Sequence, residues 1–206
     1  MQRRHFTAAL AATVAAPFAG AQTWPARPIK VLVGYPPGGF TDVTARLVCD
    51  KLGQRLGQTV IVDNKPGANG IVAVDTLSKS APDGHTFAVV IAAHAANTSL
   101  YKKLPYDPKK DVVGVSLIGL SPLVFAANND GPFKTGKELV AHAKANPGKI
   151  SYGSSGNGSA VHLSTELLKS LTGTHMVHIP YRGSAAAFTD LLGGQIHLFG
   201  DAAEPR

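Results

Sequence analysis

Ile29-Lys30-Val31-Leu32-Val33-Gly34-Tyr35, followed at once by Pro36-Pro37-Gly38-Gly39-Phe40-Thr41-Asp42, is the stretch on which the fold class turns. A short, nearly continuous apolar run bounded by turn residues is a strand buried on both faces. The prolines and glycines that follow make a tight turn. Thr41 or Asp42 can then cap a helix with Val43, Leu47 and Leu52 on one face, which Gly57 ends. A buried strand handing directly to a helix is half of a parallel crossover unit.

The same alternation runs outward from there. Thr59–Asp63 reads as a strand, Gly70–Ser80 as a short helix and Thr86–Ala92 as a third strand. After the proline-rich stretch 102–111 come two apolar segments, Val112–Leu120 and Leu123–Ala127. Helices over Lys137–Ala145, Ser159–Leu171 and Ala185–Leu192 then alternate with strands over Ile150–Tyr152, Met176–Pro180 and Gln195–Phe199. The expectation is an α/β chain of parallel sheets with helices on their faces, its ligand site outside the carboxyl ends of the strands. Leu120-Ser121-Pro122 marks a change of domain. The last strand is followed by only seven residues, so it is expected to lack a covering helix.

Composition narrows the function. The chain has 206 residues, 44% hydrophobic and 16% charged, which is too apolar for disorder. A single cysteine, Cys49, expected in the core, excludes a disulfide framework and a cysteine-based zinc site. The net charge of +7 comes from scattered lysines, without the dense basic stripe and interleaved aromatics that nucleic acid requires. Arg3 and Arg4 before the apolar run Phe6–Gly20, then Ala19-Gly20-Ala21, read as a signal peptide over residues 1–21 with cleavage before Gln22. The paired arginines fit a Sec leader or a twin-arginine one.

Three strand-to-helix loops carry the candidate chemistry. In the first, Gly38 and Gly39 let backbone approach a ligand, and free N–H groups at the helix start favour an anion. Asp42 works against this, because it consumes an N–H and repels a carboxylate. The second is Tyr152-Gly153-Ser154-Ser155-Gly156-Asn157-Gly158-Ser159, whose hydroxyls and amides suit a neutral anion cradle. The third is Tyr181-Arg182-Gly183-Ser184, where Arg182 could pair with a carboxylate or stand free on the surface. Catalytic templates fail. Gly153–Asn157 lacks the closing glycine of a nucleophile elbow, and no general base is visible. Gly131–Lys137 has phosphate-loop spacing, but Glu138 stands where a magnesium-binding hydroxyl is needed. Thr135 and Glu138 read instead as a capping box. His175 and His178, at odd spacing in a strand, face opposite ways and do not share a metal. The other histidines stand isolated. No catalytic residue, metal site or cofactor is expected.

The loops and their surroundings resemble the Bug family of periplasmic solute-binding proteins, the receptors of tripartite tricarboxylate transporters. The resemblance lies in Trp24-Pro25-x-Arg27-Pro28-Ile29, Pro36-Pro37-Gly38-Gly39-x-Thr41-Asp42, Asp63-Asn64-Lys65-Pro66-Gly67-Ala68, Ala81-Pro82-Asp83-Gly84 and Leu100–Pro108. It continues through Tyr152–Gly158, Tyr181–Ser184 and Asp190–Gln195. It implies a two-lobed Venus-flytrap fold, with a first lobe over 22–120 and a second over 121–206. It also implies a periplasmic protein without enzymatic activity that captures a small carboxylate for a membrane transporter, and that is monomeric at full length. The positions carried over are Gly38, Gly39, Thr41 and Asp42 from the first lobe and Ser154, Ser155, Gly156 and Asn157 from the second, with Gly183 and Ser184 beside them. Ordered water would reconcile Asp42 with an acid ligand. Ala93 stands where relatives carry a hydroxyl. Family members continue well past Asp201, so the resemblance implies a C-terminally truncated chain with both lobes incomplete. Such a chain is expected to bind poorly. An orphan relative that serves sensing, or has no function, is the alternative.

Overall fold

In the computed structural model, described over residues 23–203, the opening strand lies at the centre of the first of two sheets. Strand β1 (Ile29–Val33) is flanked on both sides by parallel partners, β2 (Val60–Asn64) and β3 (Thr86–Val89). That central place is why its sequence is apolar without alternation. Ile29, Val31 and Val33 point to one face and bury Ala45 and Cys49 of helix α1 (Phe40–Leu56). By strand alternation Leu32 and Gly34 point to the other face. There a Cβ on Gly34 would lie 2.5 Å from Gly70 Cα, so only glycine admits the turn that opens helix α2 (Ile71–Ser78). Ile71 and Val74 of α2 pack with Tyr106.

The second sheet has the order β4-β7-β5-β6, built from β4 (Leu123–Ala127), β5 (Ser151–Ser154), β6 (Val177–Pro180) and β7 (Leu198–Ala202). Helices α4 (Gly136–Ala145), α5 (Ala160–Thr172) and α6 (Ser184–Leu192) alternate with its strands. One core joins Leu139 and Ala143 of α4 to Tyr152, Met176 and Leu198. The other joins Ala187 and Leu191 of α6 to Ile196 and Phe199. Thr135 caps α4, accepting from Glu138 N at 3.2 Å, while Glu138 reaches back to Lys134 N at 2.7 Å rather than to the cap residue itself.

Four expectations need correction. The start of α1 is capped by neither Thr41 nor Asp42: Gly39 is the cap residue, with no side-chain bond, and both expected residues lie inside the first turn. Strand β4 runs antiparallel to β7. It is entered from the crossing between the sheets rather than through a helical crossover, so the handedness rule for parallel units does not act on it. The last strand is displaced to 198–202 and is internal, with Leu198 and Phe199 each 3% exposed between flanking strands and helices, so it is covered. Finally, the third strand stops at Val89, and Ala93–Leu100 forms a further helix, α3.

Between the sheets, residues 112–122 adopt no helix or strand, and Val113, Val115, Leu117 and Leu120 are 73–91% exposed. No helix among the described residues is long and apolar enough to cross a membrane. The expected signal peptide lies outside the described residues.

Candidate functional site: a cleft between two loop clusters

The first-lobe loop is held by Asp42. This carboxylate is 2% exposed and sits in the first turn of α1. Its Oδ2 accepts from Gly38 N and from Arg46 Nε, both at 2.9 Å, and its Oδ1 accepts from Asn64 Nδ2 at 2.8 Å. Asn64 also donates to the Tyr35 carbonyl at 3.0 Å and accepts from Arg46 Nη2 at 3.0 Å. Burial pushes the Asp42 carboxyl up, but bonds from Arg46, Gly38 and Asn64 together outweigh it and hold the pKa below the usual carboxylate range. The predicted repulsion is thus answered inside the protein, because the charge is spent on bracing the turn at Gly38, whose φ of +84° suits glycine.

The second-lobe loop leaves β5 at Ser154, which is fully buried. Ser154 Oγ accepts from Gly156 N at 3.2 Å and lies 2.7 Å from His178 Nε2. Gly158 N donates to His162 Nδ1 at 3.0 Å. Ser159 caps α5 by accepting from His162 N at 3.3 Å. The rings of Tyr152, His178 and His162 stack in a column, with centroids 4.8 Å and 4.1 Å apart. These histidines are not isolated, and a potential base does stand beside Ser154, contrary to the sequence-based expectation. Neither residue was legible as a partner, because the contact joins a strand, a neighbouring strand and a helix. No acid among the described residues hydrogen-bonds to His178, and Ser154 is sealed from solvent, so the pair supports the loop and offers no exposed nucleophile. Burial, then the neighbouring His162, lowers the His178 pKa to about 4, and burial lowers that of His162. His175, by contrast, is exposed and precedes β6, so the two histidines do not share a strand as expected.

The two loop clusters meet across the lobes. A Cβ on Gly183 would lie 3.2 Å from Pro36 Cδ, and one on Gly158 would lie 2.4 Å from Leu100 Cδ1 and 3.1 Å from Asn69 Nδ2. Between them runs a cleft whose wall includes Gly39, Thr41, Ser155, Gly183 and Ser184. Gly38, Asp42, Ser154, Gly156 and Asn157 are off that wall, and the first four act from behind it through the bonds above. Arg182 also lines the cleft and makes no ion pair with a described residue. Two lining residues were missed from sequence. Thr44 presents a buried hydroxyl, and His94 a buried Nδ1, each without a partner among the described residues. The space totals about 2240 Å³, above the roughly 300–1,000 Å³ of ordinary ligand pockets, because it runs on along the exposed segment 112–122. No group of three or more histidine, cysteine or acidic residues among the described residues could hold a metal.

Comparison with known proteins gives the family and the fold. Residues 44–202 match the model of the tripartite tricarboxylate transporter family receptor. BugT of Bordetella pertussis is 42% identical over 187 residues, which cover 90% of this chain and 57% of BugT. A Cupriavidus necator protein known as the UPF0065 protein in gbd 5'region is 41% identical, covering 98% of this chain and 64% of its own length. Among solved structures, an R. palustris protein with adipate superposes with a TM-score of 0.84 at 36% identity, and MatC of Rhodopseudomonas palustris with bound malate with 0.80 at 31%. The periplasmic binding protein BugD gives 0.78 at 36%. These matches cover 87% of this chain and about 60% of each solved chain, so the chain spans less than two thirds of the relatives it matches. The fold is that of a two-lobed periplasmic binding protein, and the chain belongs to the tripartite tricarboxylate transporter family receptors.

Proposed function

We propose that this chain forms the ligand-gripping part of a periplasmic receptor that captures a small organic acid and presents it to a membrane transporter of the tripartite tricarboxylate type. The observation that carries the reading is the pairing of two strand-to-helix loops across one cleft. Both are rich in glycine amides and hydroxyls, and Asp42, the acid of the first loop, is already paired with Arg46 and Asn64. Such a cleft binds an anion by aimed dipoles rather than by a dedicated cation, and it offers no catalytic constellation. Relatives solved with adipate and malate support the acid class. On this reading the first lobe spans residues 22–120 and the second 121–206. Gly39, Thr41, Ser155, Gly183 and Ser184 meet the ligand directly or through water. Gly38, Asp42, Ser154, Gly156 and Asn157 shape the loops, residues 1–21 direct export, and the receptor acts as a monomer.

Titration calorimetry of the purified protein against malate, adipate and citrate, with glucose and glycine as controls, tests this. Weak but saturable heat is expected from at least one acid, and none from either control. Heat from a control, or from none of the acids, overturns the reading.

A further inference from the structure

Beneath the second-lobe loop lies a device that the proposed function does not require. His162 and His178 come from different elements, α5 and β6, yet their rings stack at 4.1 Å. Each supports one glycine amide of the loop. His162 Nδ1 takes the Gly158 N–H directly at 3.0 Å. His178 Nε2 holds Ser154 Oγ at 2.7 Å, and that oxygen takes the Gly156 N–H at 3.2 Å. Gly156 and Gly158 have φ of +135° and +79°, so the loop has a shape that needs holding.

The chemistry of the first bond fixes a protonation state. An Nδ1 that accepts carries a lone pair, so the His162 proton sits on Nε2 and the ring is neutral. Protonation would set an N–H against the Gly158 N–H. It would also place a cation against the second ring.

We propose that His162 and His178 are positioning residues of the second-lobe loop, which hold the Gly158 and Gly156 amides in place, and that His162 does so only while its ring is uncharged. The groups that face the pair are Tyr152 from β5, and Glu166 and Lys169 from α5. Glu166 accepts from the Tyr152 hydroxyl at 2.6 Å and from Lys169 Nζ at 2.7 Å, so its charge is already matched. The lowered pKa values of both rings agree with this geometry. The effect on ligand capture rests on the reading of this loop as a ligand loop. The effect on the loop itself does not.

The test therefore reads the loop first, without ligand. Nitrogen-15 spectra of the purified protein should show His162 as the Nε2–H tautomer at pH 7.5. On titration to pH 4.5, the Gly156 and Gly158 amides should shift together with the imidazole nitrogens. Malate is then titrated calorimetrically into wild type, His162→Phe and His162→Asn. Phenylalanine keeps the stack but not the acceptor, and should weaken binding at pH 7.5 by about tenfold, or about 1.4 kcal/mol. Asparagine places Oδ1 where the imidazole has Nδ1, and should recover most of that loss while blunting the fall in affinity with acid. A His162 Nδ1–H tautomer, glycine amides that ignore the imidazole titration, or a phenylalanine variant that binds like wild type overturns the proposal. Glycine amides that follow the imidazoles in a protein that binds no acid would refute the proposed function and leave this assignment standing.

Discussion

Replacing Asp42 by alanine separates two roles that a carboxylate at the mouth of an anion site can have. In the structure the side chain is a brace. It receives one amide, one guanidinium and one carboxamide, and its substitution strands them unequally. Arg46 is half exposed and returns to water, and an ion pair with one partner in solvent contributes little. The Gly38 amide is also at the surface and can be hydrated. Asn64 is half buried and loses one of its two acceptors. A bond to a charged group is worth about 1.5–3 kcal/mol, so discounting the hydrated partners leaves a loss of about 2–3 kcal/mol. For a chain of this size that is a drop in melting temperature of roughly 4–12 °C. Asp42→Asn keeps one acceptor oxygen but turns a donor toward a donor, and should fall between alanine and wild type. Differential scanning calorimetry at pH 7.5 measures the order, and titration with malate measures the consequence. Both variants should bind more weakly, because the Gly38 turn is released. If Asp42 instead faced the ligand, its removal would relieve repulsion and strengthen binding. Tighter binding, or an alanine variant that melts within 1 °C of wild type, refutes the reasoning.

Other perturbations follow from single distances. Gly34→Ala forces Cβ to within 2.5 Å of Gly70 backbone, which cannot swing aside like a side chain, so it should cost more than about 2 kcal/mol in urea unfolding; a neutral result would mean the strand and the turn are not in contact. Gly39 has an extended φ of −89° and a Cβ there would meet only Pro36 O, at an ordinary 3.9 Å, so Gly39→Val should leave the melting temperature unchanged and weaken malate binding at least about tenfold; Gly156→Val is a poorer probe because its φ of +135° adds strain. Because the His178 pKa is lowered from 6.5 to about 4, the unfolded chain takes up that proton first, so stability should fall as pH drops through this window, and His178→Gln should flatten the melting curve there. The lowered carboxyl pKa values of Asp42 and Glu166 act in the same direction, but only below their own unfolded values near pH 4.

Most of the architecture was legible because each buried strand carries its signature locally. Val31-Leu32-Val33 needs two covered faces, and Gly57 and Gly173 end their helices at φ of +63°. The elements that escaped are those whose reason is not local. The direction of β4 depends on the route of the chain between sheets, not on its residues. Helix α3 has no cap signal, since Ala92 and Ala93 carry no side-chain acceptor. Val113, Val115 and Leu117 alternate as a strand would, but among the described residues nothing pairs with them. At the site the loops could be located from their glycines and serines. Their internal wiring could not, because Asp42 with Asn64, and Ser154 with His178, meet only when strands are set side by side.

The seats at Pro36 against Gly183 and at Leu100 against Gly158 also bear on what the cleft can measure. The Pro36 ring has few ways to move aside, whereas Leu100 Cδ1 is the end of a flexible side chain and forms the softer of the two seats. On the proposed reading, these seats and the covalent crossing through residues 112–122 would act as mechanical stops, so that the gap at which the two loop clusters come to rest would be set by the protein and not by its cargo. A guest that is too long holds the stops apart, and one that is too short leaves them touching around unfilled space. Length is then gauged as a caliper gauges it, by whether the jaws reach their stops. On that reading, two acids with the same end groups would be told apart without a side chain that touches the difference.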